Sequence, residues 1–429
     1  MTRYIKQLLT IAFLLHIVAT HAQQVPVAIS GGRIHVGDGT VIENGLVIIQ
    51  NGSIQYAGPM KESGYDANTA SLIDATGKDI YPGFIGMGST IGLNEITAVR
   101  STRDAYEVGV YNPNIRSLIA YNTDSKVIPT VRTNGVLLAQ VVPYGGVIGG
   151  QSSVFKMSGW NWEDAAIATD DNMHMSWPSV YNYDYEKNTY GPNAQYRSEV
   201  EDIYTFFAEA RSYCNGNAPR ERNLRFEAMR KVLNGKQKLF ISANSAKQII
   251  GAVALSDSFH IKIVIRGGRQ SYRVTELLKE RNIPVLLEAT HELPSYDGDP
   301  VDLPYKLPAM LHDAGIMCGL SVCNEGDSYW NLRNLPFQAG TAAAYGLNRE
   351  EALKMITLNN AMLAGIDEKY GTIKTGKSAT LFISDGDALD MGTNRLSIMF
   401  IAGERLKPDN WQSELSNKYE LKYNIQIHR

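Results

Sequence analysis

Few side chains in this sequence stand where they could move a proton, attack a carbonyl or grip an anion. Two of its eight histidines, His16 and His21, fall within the first 22 residues; the other six are His35, His174, His260, His291, His312 and His428. His291, in "LLEATHELP", closes an apolar run, with Glu288 before it and Glu292 after it. An imidazole beside carboxylates at a strand end suits general acid–base work. A single histidine there also serves structure, and both readings stay open. Asp327, in "GLSVCNEGD", lies near Cys318 and Cys323. We take His291, Glu292 and Asp327 as the candidate catalytic set. Arg266 in "VIRGG" and Arg333 in "NLRNLP" supply guanidinium forks, which pair with carboxylates in bidentate geometry. With Trp160 and Trp162 they form the candidate ligand-binding set, and an anionic ligand is expected. Neither a GxSxG elbow nor an HExxH pair occurs.

The elements that must hold these residues follow from the hydrophobic pattern. Residues 24–80 read as short strands punctuated by Gly-Asp-Gly and Asn-Gly turns. "GTIKTGKSATLFISDGD" and "RLSIMFIAGERL", near the other end, read the same way. Neither set closes a sandwich alone, so the two ends are expected to pair. Between them "FIGMGS", "GVLLAQVV", "SVFKM", "LFISA", "IKIVIR", "PVLLEA" and "IMCGL" are apolar strands separated by helical patterns. Fully apolar strands alternating with amphipathic helices mean parallel strands covered on both faces, and this length of pattern suits a barrel. Seven strands are visible; the eighth is hidden in 105–135 or displaced by 158–200. That last stretch is rich in Trp, Tyr, Asn, Asp and Pro and reads as a long loop. It either covers a ligand or packs on its own barrel.

Arg3 and Lys6, an apolar run from Leu8 to Val18, and Thr20-His21-Ala22 make a secretory leader. A periplasmic or secreted location is expected, with no later apolar run of the ~18 residues a membrane span needs. The net charge of −3 gives no basic stripe for nucleic acid. Three cysteines, Cys214, Cys318 and Cys323, with no CxxC, indicate no disulfide framework.

"GGRIHVGDGTVIENGLVIIQNGSIQYAG", "IDATGKDIYPGFI", "NLPFQAGTAAAYGLNREEALKMIT" and "ITLNNAMLAGIDEKYGTIKTGKSATLFISDGDAL" occur in an order and spacing that resemble the amidohydrolase superfamily, in its imidazolonepropionase-like and prolidase-like branch. The resemblance covers nearly the whole chain after the leader. It implies an α/β fold: a (β/α)8 TIM-type barrel inserted in a composite β-sandwich built from both chain ends. The expected divisions are a leader at 1–22, the composite domain at 23–82 plus 367–429, and the barrel at 83–366 with the aromatic loop at 158–200. It also implies zinc or another divalent metal and hydrolysis of C–N bonds in cyclic amides or N-acyl and peptide substrates.

The metal motifs themselves depart from the family. Gly88 and Thr90 occupy the two histidine positions after the first barrel strand, Gly86 the preceding Asp position, and Ser242 and Asn244 the fifth-strand positions. Arg266 stands where a sixth-strand histidine is expected, and a fixed positive charge repels a cation. Zinc takes N, S or carboxylate O donors, which these residues lack. No metal cofactor is therefore expected. The leading expectation is a non-catalytic relative that binds a small-molecule carboxylate or amide. The alternatives are an active hydrolase with a relocated site and a structural partner of an intact paralogue. Homo-oligomerisation is a further expectation; nucleic acid and, after leader removal, membrane are not expected partners.

Overall fold

The computed structural model describes residues 25–62, 70–216, 221–322 and 328–425. The expected leader at 1–22 lies outside them, as do Cys323, Glu325 and Asp327. The chain opens with β1 (Val27–His35), β2 (Val41–Gln50), β3 (Ser53–Pro59), β4 (Ser71–Asp74) and β5 (Asp79–Pro82). Gln50 pairs with Ser53, so Asn51-Gly52 is a two-residue hairpin loop. Both residues have positive φ, 50° and 78°, the backbone a type I′ turn demands.

The barrel strands come next. They are β6 (Phe84–Ser89), β7 (Val136–Val141), β8 (Ile148–Gln151), β9 (Ser153–Lys156), β10 (Ala166–Ala168) and β11 (Asn172–Ser176). A hairpin, β12 (Tyr181–Asp184) and β13 (Thr189–Pro192), precedes β14 (Lys238–Ala243), β15 (Ile263–Gly267), β16 (Val285–Leu287) and β17 (Cys318–Leu320). The chain returns to the first layer with β18 (Leu381–Ser384), β19 (Leu396–Ile401) and β20 (Glu404–Leu406).

Both ends of the chain build one eight-stranded sheet, ordered β20-β19-β18-β5-β1-β2-β3 with β4 on β1. The join is the antiparallel pair β5–β18, Asp79–Pro82 against Leu381–Ser384. Bonds from Ile54 N to Lys377 O (2.8 Å) and Ala379 N to Gly52 O (2.9 Å) bring the β2–β3 hairpin against the segment that leads into β18. The sheet thus curls around a core that includes Ile29, Ile34, Val47, Ile80, Leu381 and Phe400. His35 stands at its border with the barrel, bonded to Asp79 (3.2 Å) and to Glu350 of the helix Arg349–Met355 (2.7 Å).

Seven barrel strands run parallel: β6 with β7, and β11, β14, β15, β16 and β17 in sequence. The eighth position is filled by the continuous segment β8–β9, which runs the other way, antiparallel to β11 through β8 and to β7 through β9. This locates the strand that the hydrophobic pattern missed: it is β11, "NMHMS", inside the stretch read as a loop. That stretch is not one long loop, because it also holds the short helix Trp162–Ala165, β10 and the β12–β13 hairpin. The backbone of β11 bonds on both edges, and that pairing overrides its polar composition.

Alternation along each strand sends one set of side chains inward and the other onto the helices. Ile85, Met87, Leu138, Val154, Phe240, Val264 and Leu286 fill the interior. Leu239, Ile241, Ile263, Ile265, Val285 and Leu287 pack outward. No ladder joins β6 to β17. Asn360, fully buried on the helix Leu358–Ala364, closes the gap by donating from Nδ2 to Ile85 O and Leu320 O, both at 2.8 Å. Ser321 Oγ adds a bond to Met87 O at 2.6 Å. No helix among the described residues is long and apolar enough to cross a membrane.

Candidate functional site

The mouth of the barrel, at the C-terminal ends of its parallel strands, is organised around Arg266. Arg266 is two residues on from the inward Val264 and so points inward as well. Its side chain is 3% exposed, and its Nε lies 3.4 Å from Glu288 Oε1, one residue beyond β16. One guanidinium nitrogen donates to Tyr144 Oη at 2.6 Å, and the group lies over the Tyr144 ring, 5.0 Å from its centre. Tyr144 in turn donates to Gly88 O at 2.6 Å. Gly88 has φ +68°, and a Cβ built on it would meet Arg266 Cζ at 3.4 Å. Glycine is thus suited here by its backbone, and the guanidinium lies at contact distance above it.

Below Arg266 lies His174, the middle residue of β11, its ring 5.0 Å from that of Phe240. Its Nε2 is 2.9 Å from Ser152 Oγ. That hydroxyl has Asp171 Oδ1 (2.7 Å) and Asn172 O (3.2 Å) as acceptors for its single proton. Nε2 therefore carries the imidazole proton and Nδ1 the lone pair. Nδ1 is buried and has no partner among the described residues. Burial, and then the charge of Arg266, hold the His174 pKa well below its usual value. Burial raises the Asp171 pKa despite hydrogen bonds from Ser152, Gln140 and Asn172. Tyr144, His174, Ser176, Ser242 and Arg266 enclose a cavity of about 10 Å³, room for roughly one water. Farther out, the loops after β11, β14, β15 and β16 surround a vestibule of about 500 Å³.

These residues do not fit a divalent cation. The space above Gly88 holds a buried guanidinium, and Glu288, the nearby carboxylate, is committed to it. Ser242 brings a neutral hydroxyl, Thr90 Oγ1 accepts from Asn94 (3.0 Å), and Asn244 brings a carboxamide. Among the described residues no three His, Cys, Asp or Glu come together to hold an ion.

Of the residues expected from the sequence, Arg266, Gly88, Ser242 and Asn244 are at the mouth. The others scatter. His291 is exposed; its Nε2 is 2.5 Å from Thr341 Oγ1 and its N–H donates to Gln338. Glu292 is held by Arg269 at 2.6 Å. Asp327 lies outside the described residues. Arg333 is exposed, and its carbonyl accepts from Asn134, two residues before β7 begins, at the end of the barrel opposite the mouth. Trp160 is 94% exposed, and Trp162 packs on the outer apolar cluster. Both follow β9, whose reversed direction carries the chain away from the mouth. Among the described residues, His291 and Glu292 therefore bond to different neighbours, and the two arginines lie at opposite ends of the barrel. Sequence reasoning missed His174 and Tyr144. The signal for His174 was its alternation with Met173 and Met175, which face outward.

An amidohydrolase-family model matches residues 305–411. The amidohydrolase tasK of Hapsidospora irregularis is 27% identical over a stretch covering 34% of this chain. That stretch spans 18% of the relative's own length. The crystal structure of an amidohydrolase from Thermotoga maritima MSB8 superimposes with a TM-score of 0.76 at 24% identity, over 89% of this chain and 99% of that one. Residues 305–411 thus match the amidohydrolase family, and the chain as a whole shares the fold of a solved amidohydrolase. Two less similar structures share this fold. A prolidase solved with N-methylphosphonate-L-proline aligns at 15% identity and a TM-score of 0.55, over 89% and 99% of the two chains. An adenosine deaminase from Xanthomonas campestris with bound zinc aligns at 13% and 0.55, over 93% and 98%.

Proposed function

We propose that this chain is an exported, non-hydrolytic member of the superfamily whose barrel mouth binds a small molecule. One observation carries the reading: a buried, carboxylate-paired arginine stands over Gly88, where the family pattern would place a metal ligand. Metal-dependent hydrolysis works by bringing the pKa of bound water to near ~7 and by polarising the scissile carbonyl. A cation beside Arg266 would meet like charge in a site of low dielectric, where repulsion is strong. The relocated-site alternative has less support, because Glu288, His291 and Glu292 each bond to a different neighbour. The leader-like start supports export.

The paired arginines that suggested a carboxylate ligand are apart, and Arg266 is already balanced by Glu288. A neutral ligand such as an amide is the better match. The test is a hydrolysis panel of N-acyl amino acids, dipeptides and cyclic amides, run on the full chain with added zinc or manganese. No turnover above that of metal alone is expected; metal-dependent turnover would overturn the reading. A second reading, pairing with an intact paralogue, is favoured by exposed apolar residues after β6: Val108 is 89% exposed and Val110 58%. Co-purification with such a relative would support it.

A further inference from the structure

The vestibule above the buried cavity has a composition that selects a ligand class. Tyr181, Tyr190 and Tyr296 line it, together with Asn244, Arg269 and Asp297. Tyr181 is 56% exposed and Tyr190 73%. A tyrosine face attracts C–H groups while its hydroxyl bonds to polar ones. These two tyrosines sit on a preset support. Tyr183 packs edge-on against Tyr190 across the hairpin. The hairpin base is tied down by Asn193 Nδ2 to Ser179 O (2.9 Å) and by Gln248 Nε2 to Pro178 O (3.0 Å).

Charge narrows the choice. Arg269 is engaged by Glu292 at 2.6 Å and also donates to Ser295, so its charge is balanced within the protein. Among the described residues lining the vestibule, no other lysine or arginine is present, and Asp297 adds a negative charge. A phosphate or free carboxylate therefore gains little here and is repelled by Asp297. The floor adds a specific demand. The carboxamide oxygen of Asn244 is buried and accepts no hydrogen bond from the described residues. A buried acceptor left unpaired costs about 1–3 kcal/mol, and a half-turn of the carboxamide, which lines the vestibule, would present this oxygen to a ligand hydroxyl. An uncharged ligand with C–H faces and many hydroxyl donors meets all three conditions.

We propose that this vestibule is a binding site for a neutral saccharide, which stacks on Tyr181 and Tyr190 and donates a hydroxyl to Asn244. The proposal rests on the non-hydrolytic, ligand-binding reading and names its ligand class. The test is calorimetric titration of the full chain with cellotetraose, maltotetraose, xylotetraose and chitotetraose, alongside acetylglycine and glycyl-proline. At least one tetrasaccharide is expected to bind, and Tyr190→Ala and Tyr181→Ala should each weaken it about tenfold. Both tyrosines are exposed, so these variants should melt like the wild type, and a thermal scan checks this. Asn244→Leu should remove most of the remaining affinity. Failure of all four sugars to bind, or binding that the tyrosine variants leave unchanged, would overturn the proposal. Binding of acetylglycine alone would refute the saccharide assignment but leave the non-hydrolytic reading standing. Metal-dependent cleavage of glycyl-proline would refute that reading, whatever the sugars do.

Discussion

Arg266 keeps a full charge inside the barrel, and Glu288 balances it. Removing one member of a buried pair strands the other, at a cost of about 3–5 kcal/mol. Arg266→Met should therefore destabilise the chain by roughly that amount in urea unfolding, and Arg266→Met/Glu288→Gln should recover most of the loss. If the double variant is no better than the single, the pairing is not what matters. His35 is the second charged residue with a measurable consequence. Burial lowers its pKa, but bonds and charge from Asp79 and Glu350 outweigh this and raise it from 6.5 to about 9. The folded state thus binds the proton more tightly than the unfolded chain does. Its stabilisation is fully present below about pH 6.5 and is lost as pH rises through about 9, a total of roughly 3 kcal/mol. A melting temperature that falls between pH 7 and 9.5 in wild type but less in His35→Gln is expected; parallel profiles would contradict it. The place of Arg266 at the mouth was legible because it falls at the end of the apolar run "IKIVIRGG", where the family resemblance puts a sixth-strand histidine. His291 was placed by its strand end alone, which does not say whether the next loop turns back over the mouth or toward a helix.

The barrel's least regular elements carry its closure. Asn360 satisfies two carbonyls, Ile85 O and Leu320 O, where β6 and β17 have no ladder. Asn360→Ala leaves both buried acceptors unpaired and should cost about 2–4 kcal/mol in the same unfolding assay. Asn360→Asp should cost at least as much, since an ionised carboxylate has no proton to donate. A loss under 1 kcal/mol in both would show that water replaces the side chain. Seven of the eight strand positions were legible from continuous apolar runs. The eighth, β11, was not, because Asn172, His174 and Ser176 face inward and break the run. The reversal of β8–β9 left no local mark either: strand direction depends on which neighbour offers its edge. That reversal is why Trp160 and Trp162, plausible mouth residues by sequence distance, end up elsewhere.

At the scale of the molecule, the two chain ends form one folding unit. Phe382 on β18 packs against Tyr81 and Phe84 at the entrance to the barrel, with ring centres 5.5 and 5.0 Å away. Deleting residues 377–429 removes that contact and leaves β5 unpaired along one edge, a template for aggregation. The truncated chain should be insoluble or melt without a cooperative transition; a soluble protein with a sharp melt would show that the barrel folds without its composite sheet. The pairing of the ends was legible in the matching style of their short strands and Gly turns. The curl into a single sheet was not, because it depends on segments more than 300 residues apart, Gly52 and Ala379 among them.

The most direct test of the account is elemental analysis of the full chain after incubation with excess zinc or manganese and removal of free metal. If Arg266 fills the place of the ion, bound metal will be far below one equivalent per chain, and Arg266→Met alone will not restore it. One tightly held equivalent in the wild-type protein would contradict the central claim.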